Sequence, residues 1–428
     1  MKTCLQGWPR HSGKCISADR FYAIQRHGVP CYTFFKGTIM LRPNSITLNE
    51  LFANSERLQE AWQAVRRAGG AAGVDQQTIE EFQTRREAAI ESMHRSLAAG
   101  KYRFSKLRFA VVPKPTGGNR KLGIPTVSDR VVLQSMRLVL EPEFEKVMLP
   151  CSHAYRHDRG SHTALADIRV AMQERYVFVV ETDIRHFFDS IRHRPLLEQL
   201  TRVEPRVRQC RLVQDAMTMS AGLFPARKGI AQGSPLSPLL ANVSLIEFDR
   251  MMCGGVSRMI RYADDLVVMC KSQSEADAEY HRIGKELSKL GLEMHPDKTR
   301  IVDSRRQAFS FVGFEIHPDR IVPSESNVAE LKSSIIGWCN PNINETWQTR
   351  IDRINGLLRS FAWYYHQTDS GRLFMGLDQF AREQLDELQS VVKPSVADWE
   401  HQVVRIGTIR DVVWKGSKKQ KGWNGYGK

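Results

Sequence analysis

An α+β fold is what this chain of 428 residues predicts, and three stretches carry the expectation. Tyr176-Val177-Phe178-Val179-Val180-Glu181-Thr182-Asp183 is a nearly continuous apolar run ending in an acid, the pattern of a strand buried on both faces. Arg258 to Cys270 is a pair of apolar runs meeting at two carboxylates, which predicts a β-hairpin whose turn consists of Asp264 and Asp265, both pushed out at the tip. From Ser324 onward the period is helical. Ile351, Ile354, Leu357, Leu358, Phe361, Trp363 and Tyr364 form one stripe and Leu373 to Leu388 another, and both read as core.

The length calls for two or three packed subdomains. A net charge of +15 favours a polyanionic partner, nucleic acid first. The charge is concentrated: Lys101, Arg103, Lys106, Arg108, Lys114, Arg120, Lys121 and Arg130 face only Asp129 in their window. Eight scattered cysteines with no Cys-x-x-Cys pair argue against a zinc ribbon or a disulfide framework and suit a reducing cytoplasm. Cys151, His153, His157 and His162 could ligate a metal, but the Arg, Asp and Gly between them read as a polar loop. No apolar run approaches the ~20 residues that span a bilayer, and the first forty residues lack a signal-peptide core, so no membrane partner is expected.

Residues 1–44 show no sustained period and stay unassigned. A helix is expected from Thr47 to Arg67, stopped by Gly69, Gly70 and Gly73, and a second from Gln76 to Ala99. Phe109 to Pro113 and Arg120 to Ile124 form a basic hairpin around Lys114-Pro115-Thr116-Gly117-Gly118-Asn119; either its glycines and cations approach phosphates or it is merely solvated. Helices follow from Ser128 to Phe144 and from Ser161 to Glu174. A basic helical stretch, Leu196 to Ala221, leads to Gln232-Gly233-Ser234-Pro235-Leu236-Ser237-Pro238, which can present backbone amides to a ligand or simply begin the helix Leu239 to Met252. After the acidic hairpin come a helix from Ser274 to Leu290 and a strand from Phe309 to Ile316. In the tail, Lys418, Lys419, Trp423 and Tyr426 could lie along a nucleic-acid backbone or form a solvated end.

Adjacent carboxylates at a tight turn repel by about 4 kcal/mol at 4 Å with an effective dielectric near 20, so Asp264 and Asp265 call for a cation. Mg²⁺ answers that call, since it takes hard oxygen ligands and commonly binds through one or two carboxylates plus substrate phosphates. A solvated turn is the simpler alternative. Asp183, at the end of a buried strand, likewise needs either a metal or an ion pair, with Arg185 near at hand. Carboxylates on a strand and on a hairpin beside cationic loops are the parts that two-metal phosphoryl transfer requires.

In this order, with Tyr262-Ala263-Asp264-Asp265 at the centre, the sequence resembles reverse transcriptases, and among them the bacterial lineage related to group II intron enzymes. The likeness runs from Gly73-Val74-Asp75 to about Leu388. It includes Pro113-Lys114-Pro115, Arg120 to Pro125, Asp183 to Ile191, Gln232 to Pro238, the Lys298 region and Phe311-Val312-Gly313-Phe314. It implies a right-hand polymerase with fingers at 45–160, palm at 161–320, a helical thumb at 321–400 and a basic tail at 401–428.

By the same resemblance, Asp183 and Asp264 hold two Mg²⁺ ions, for which Mn²⁺ could substitute, with the Ile184 carbonyl on one and Asp265 as a weaker ligand. Lys114 and Arg120 grip the nucleotide triphosphate, Gln232 packs near its sugar, and Phe188 walls off a ribose 2′-hydroxyl. Lys298 protonates the leaving pyrophosphate; Phe311 and Gly313 support the primer end; Lys121, Arg130, Lys418 and Lys419 contact nucleic acid. The partners implied are a structured RNA template, a DNA product and deoxynucleoside triphosphates. Nothing after Leu388 resembles the DNA-binding and endonuclease segment of intron-encoded relatives, which points to free-standing bacterial enzymes, including those that copy a noncoding RNA in defence against phage. An intron maturase and an RNA-binding splicing or packaging factor with a vestigial site are the competing expectations.

Overall fold

The computed structural model describes residues 33–35, 38–40, 46–113, 119–219, 227–392 and 402–407. The chain divides into two units, Met1–Thr47 and Leu48–Lys428. In the first, β1 (Thr33–Phe35) pairs antiparallel with β2 (Thr38–Met40). Everything below concerns the second.

The expected first helix is two, α1 (Leu48–Phe52) and α2 (Ser55–Ala68), because Asn54 restarts it by accepting the Arg57 N–H at 2.9 Å. The next also divides, into α3 (Ile79–Thr84) and α4 (Arg86–Ala98), with a capping box of Thr78 and Glu81 at its head. β3 (Arg108–Pro113) and β4 (Asn119–Ile124) form the basic hairpin. Thr126, rather than Ser128 or Asp129, caps α5 (Val127–Glu145). Asp129 is buried instead, accepting from the Tyr102 hydroxyl at 2.9 Å and the Ser105 N–H at 3.1 Å.

α6 (Ser161–Gln173) delivers the chain into β5 (Phe178–Asp183). α7 (Phe187–Ser190) comes next, and the basic stretch expected from Leu196 to Ala221 breaks into α8 (His193–Val203) and α9 (Arg211–Thr218). α10 (Ser237–Ser244) and α11 (Ile246–Met252) lead to the central hairpin, β6 (Arg258–Tyr262) and β7 (Asp265–Cys270). α12 (Gln273–Leu290) and β8 (Arg300–Asp303) follow. The single strand expected at 309–316 is a hairpin of β9 (Phe309–Phe311) and β10 (Phe314–Ile316), to which β11 (Ile321–Pro323) adds a third strand. α13 (Glu325–Trp338), α14 (Trp347–Tyr364) and α15 (Gly371–Val391) close the unit, as the helical stripes predict.

The central sheet has the order β6-β7-β5-β8, antiparallel throughout. Successive residues of a strand face opposite ways, and here each face has its own core. Val180, Leu266, Val268 and Cys270 pack with α1–α5 and α10–α12. Val179, Val267, Met269 and Val302 pack with α6, β9–β11 and α13–α15. Burial on both faces explains the unbroken apolar runs. Among the described residues no helix is long and apolar enough to cross a membrane.

One expectation about the cysteines is corrected, and the loop that follows Cys151 is polar, as expected. Cys151 and Cys253, 102 residues apart, meet sulfur to sulfur as a disulfide, a pairing made by the fold that spacing could not reveal. The Cys151 to His162 loop builds no metal site: His153 Nδ1 is 2.8 Å from the Thr163 hydroxyl and His162 Nε2 is 2.7 Å from the Tyr364 carbonyl oxygen. Burial first, then Arg159, Arg156 and Arg261, pushes His153 down to about 4, so it is a neutral core histidine.

Close approach of α5 to the glycine-rich turn gives a test. A Cβ on Gly73 would stand 2.5 Å from the Thr126 Cα, whereas one on Gly160 meets nothing within 4 Å. Gly73→Ala should therefore lower stability by about 1–3 kcal/mol through overpacking, read as a reduced urea midpoint, and Gly160→Ala should leave that midpoint within about 0.5 kcal/mol of the parent. Equal midpoints for the two variants would refute the packing assignment.

Candidate active site

The site begins with the register of two strands. β5 and β7 run antiparallel with Asp183 directly opposite Asp265, which sets their Cα atoms roughly 5 Å apart. One residue beyond the pairing, the Ile184 N–H donates to the Asp264 carbonyl oxygen at 3.0 Å. Acids distant in sequence thus converge on one sheet end. The turn differs from expectation: Tyr262 pairs with Asp265, so the two turn residues are Ala263 and Asp264, and Asp265 belongs to the strand rather than to the tip.

That difference changes the chemistry of Asp265. Loss of hydration pushes its carboxyl up to about 7; the Val312 N–H opposes this, donating at 3.1 Å, while Asp183, Asp264 and Glu181 add to it. Lys298 makes direct contact with this centre, its Nζ 2.9 Å from Asp183 Oδ2. Among the described residues no three His, Cys, Asp or Glu side chains group closely enough to hold a metal ion. A donor set of this kind suits a hard divalent cation that brings further oxygens with it, as Mg²⁺ does with phosphates and water, and does not suit an ion that needs a closed protein cage.

Sequence reasoning missed the residue that holds the turn. Arg261 is 1% exposed, and its Nε and Nη2 donate to Asp249 at 2.7 and 2.6 Å. Its Nη1 donates to Asn242 Oδ1 at 3.1 Å and to the Ala263 carbonyl at 2.9 Å, while Nη2 reaches the Ser152 hydroxyl at 2.8 Å. Ala263 has φ +58°, a left-handed conformation that costs a non-glycine residue of order 1–3 kcal/mol. A buried guanidinium on its carbonyl keeps it there. An Arg two residues before an acidic turn was the only available signal, and by itself it reads as a cross-strand surface charge.

The remaining predicted residues fall into groups. The Gly123 N–H of β4 donates to the Gln232 carbonyl at 2.8 Å, and a Cβ on Gly233, at φ +114°, would lie 2.8 Å from the Gly123 oxygen. Gln232 is therefore pressed against the basic hairpin. Phe188, partly buried, accepts the Ile230 N–H on its carbonyl at 2.9 Å, which joins the segment after Asp183 to the same loop. Phe311 and Gly313 flank the β9–β10 turn whose Val312 touches Asp265. Lys121 is exposed on β4. Arg120 is in β4, with its side chain outside the description, and Lys114, Lys418 and Lys419 lie outside the described residues.

Arg130 is a correction. It is 7% exposed, and its Nη1 and Nη2 donate to the Gly69 and Ala71 carbonyls at 3.1 and 2.7 Å. It ties α5 to the end of α2 and presents no charge outward for nucleic acid.

Comparison with known proteins supplies a context for this geometry. Residues 112–316 match the family described as reverse transcriptase (RNA-dependent DNA polymerase). Protein YkfC of Escherichia coli K12 is 28% identical over 331 residues, covering 67% of this chain and 85% of YkfC. The group II intron-encoded protein LtrA of Lactococcus lactis subsp. cremoris is 30% identical over 211 residues, 48% of this chain but only 34% of LtrA. Telomerase from Candida albicans with a fragment of telomeric RNA aligns with a TM-score of 0.42 at 11% identity, over 80% of this chain and 67% of that one.

The Arg261 clamp generates its own test. Asp249→Asn leaves a guanidinium buried without its counter-charge and should cost about 3–5 kcal/mol. Arg258→Gln breaks a pair whose side chains are 57% and 44% exposed and should change stability by no more than about 1 kcal/mol. Denaturant unfolding of both variants checks the contrast, and an Asp249→Asn midpoint equal to that of Arg258→Gln would remove the clamp from the scaffold.

Proposed function

The chain carries a reverse transcriptase domain and is a relative of group II intron-encoded proteins, and from that premise we propose that it copies RNA into DNA by nucleotidyl transfer at Asp183, Asp264 and Asp265. The observation that carries the proposal is the β5–β7 register, which sets the first acid against the acidic turn.

In this reading Asp183 and Asp264, with the Ile184 carbonyl, would hold two divalent ions, and Asp265 would be a weaker ligand beside them. Such a pair, when bound, offsets the charge on the attacking and leaving oxygens. The primer 3′-oxygen attacks the α-phosphorus, the α–β phosphoanhydride bond breaks, and the 3′-hydroxyl proton is released. Lys298 stands within hydrogen-bond reach of Asp183, a position from which its ammonium can give a proton to the departing pyrophosphate. Lys114 and Arg120 would bind the triphosphate, Gln232 and Phe188 would line the sugar, and Phe311 to Gly313 would support the primer end. The two loops bearing Gln232 and Phe188 are already hydrogen-bonded together through Ile230.

The template we infer is a structured noncoding RNA, copied in the bacterial cytoplasm, with antiphage defence as the setting; the strongly basic composition supports an RNA partner. A second reading, an intron maturase that also copies its intron, is favoured by LtrA's being group II intron-encoded. Sequencing the RNA and DNA that copurify with the protein separates them: a noncoding RNA with complementary DNA supports the first, a spliced intron lariat the second.

Two substitutions test the chemistry. Asp264→Asn should reduce primer extension on an RNA template by at least about a hundredfold, the scale of losing a transition-state charge partner, with RNA affinity retained; full extension activity would exclude the site. Phe188→Gly should raise ribonucleotide incorporation by about tenfold or more, since steric exclusion is what the ring supplies. Unchanged sugar selectivity would remove Phe188 from that role.

A further inference from the structure

Asp265 is reached by one described backbone amide, that of Val312, at 3.1 Å, and Val312 is held in an unusual conformation to reach it. Its φ is +48°, in the left-handed region that a β-branched residue rarely enters. Neighbours must impose that orientation, and two do. The Tyr364 hydroxyl donates to the Val312 carbonyl at 2.8 Å, and the Tyr365 hydroxyl donates to the Gly313 carbonyl at 2.9 Å.

Tyr364 is itself fixed on several sides. Its ring stacks on Phe314 with centroids 5.3 Å and planes 19° apart. Its backbone carbonyl oxygen is 2.7 Å from His162 Nε2. The Ser161 hydroxyl is a second partner of the phenol, and burial pushes the phenol well above its ordinary range, so it remains a donor.

We propose that Tyr364 is a positioning residue for Asp265. By clamping the Val312 carbonyl it turns the Val312 N–H onto Asp265 Oδ2, and so sets how the carboxylate presents its other oxygen to the reacting groups. The inference rests on Asp265 belonging to the reaction centre, and it deepens that reading: the last turn of α14 becomes part of the catalytic geometry, because any shift of that helix relative to the sheet is transmitted to the acid through a single residue, Val312.

Tyr364→Phe removes the hydroxyl and keeps the ring. The expected result is a fall of about tenfold in the single-turnover rate constant for nucleotide addition, the usual scale for losing a group that orients a ligand, with the Kd for primer–template unchanged. Independently of turnover, hydrogen exchange of the peptide 309–316 should become faster. Val312→Gly provides the second arm, since glycine enters the left-handed region without help; in that background the further change Tyr364→Phe should alter the rate constant by less than about threefold, a coupling that a double-mutant cycle reads directly.

An unchanged rate constant, unchanged exchange, or full additivity in the Val312→Gly background would overturn the proposal. A weaker primer–template Kd at an unaltered rate constant would overturn it too, by making Tyr364 a nucleic-acid contact. Failure of the underlying site is distinguishable, because then Asp265→Asn would also leave primer extension intact.

Discussion

The pairing of β5 with β7 is the constraint on which the site depends, and apolar burial alone specifies its register weakly. Both faces of these strands are covered, so a slip of one residue would move Val179 and Val267 from one hydrophobic core to the other rather than into water. The register must be held at the strand ends. There the structure places polar pairs: the Thr182 and Thr299 hydroxyls at 2.7 Å, Arg300 on Glu181 at 3.0 Å, and the Ile184 N–H on the Asp264 carbonyl at 3.0 Å. The last of these joins β5 to the β6–β7 hairpin and would be lost in a slipped pairing; the other two fix β5 against the start of β8. The contact that aligns the acids is therefore polar and lies at the open end of the sheet, the Ile184 N–H on the Asp264 carbonyl, while the apolar run supplies stability without choosing the alignment.

Bringing acids together also has a local cost, visible in the backbone and in one carboxyl. Asp265 is pushed up to about 7, first by lost hydration and then by Asp183, Asp264 and Glu181. Ala263 and Val312, the residues that aim Asp264 and contact Asp265, both have positive φ, +58° and +48°. Such conformations persist when the surroundings over-determine them, and each carbonyl accepts from a side chain, that of Arg261 two residues earlier for Ala263 and that of Tyr364 in α14 for Val312. Two of the residues with positive φ thus stand directly beside the acids.

Much of this was legible in the sequence, and the misses share a cause. The buried strand, the acidic hairpin and the helical C-terminal part follow from periodicity and composition, which are local, and the order of the motifs was read from resemblance to a family. The hairpin turn was displaced by one residue because two-residue turns advertise themselves by Gly or Asn at positive φ, and Ala263 gives no such sign; a guanidinium buried with Asp249 supplies the missing stabilisation. Arg130 lay in a window of eight cations, yet α5 turns it inward onto the Gly69 and Ala71 carbonyls. The break between β9 and β10 had a signal in Gly313, since an isolated glycine inside a strand pattern marks a bulge or a turn. Asn54 likewise advertised the break between α1 and α2. The disulfide of Cys151 and Cys253 had no local signature at all.

The two ion pairs beside the acids are built for opposite purposes, as their exposure indicates. Arg261 and Asp249 are each 1% exposed, so removing either partner strands a charge in a medium that cannot hydrate it, and the pair behaves as scaffold. Lys298 and Asp183 are 53% and 26% exposed, and a pair that open to water is worth about 1 kcal/mol or less. Lys298 can therefore leave Asp183 at small cost, as the proposed reading would require were a divalent ion and a triphosphate to compete for the two groups, while the turn bearing Asp264 stays where Arg261 holds it. The exchangeable contact thus lies at the solvent edge and the permanent one behind the turn, the division that the proposed nucleotidyl transfer would need.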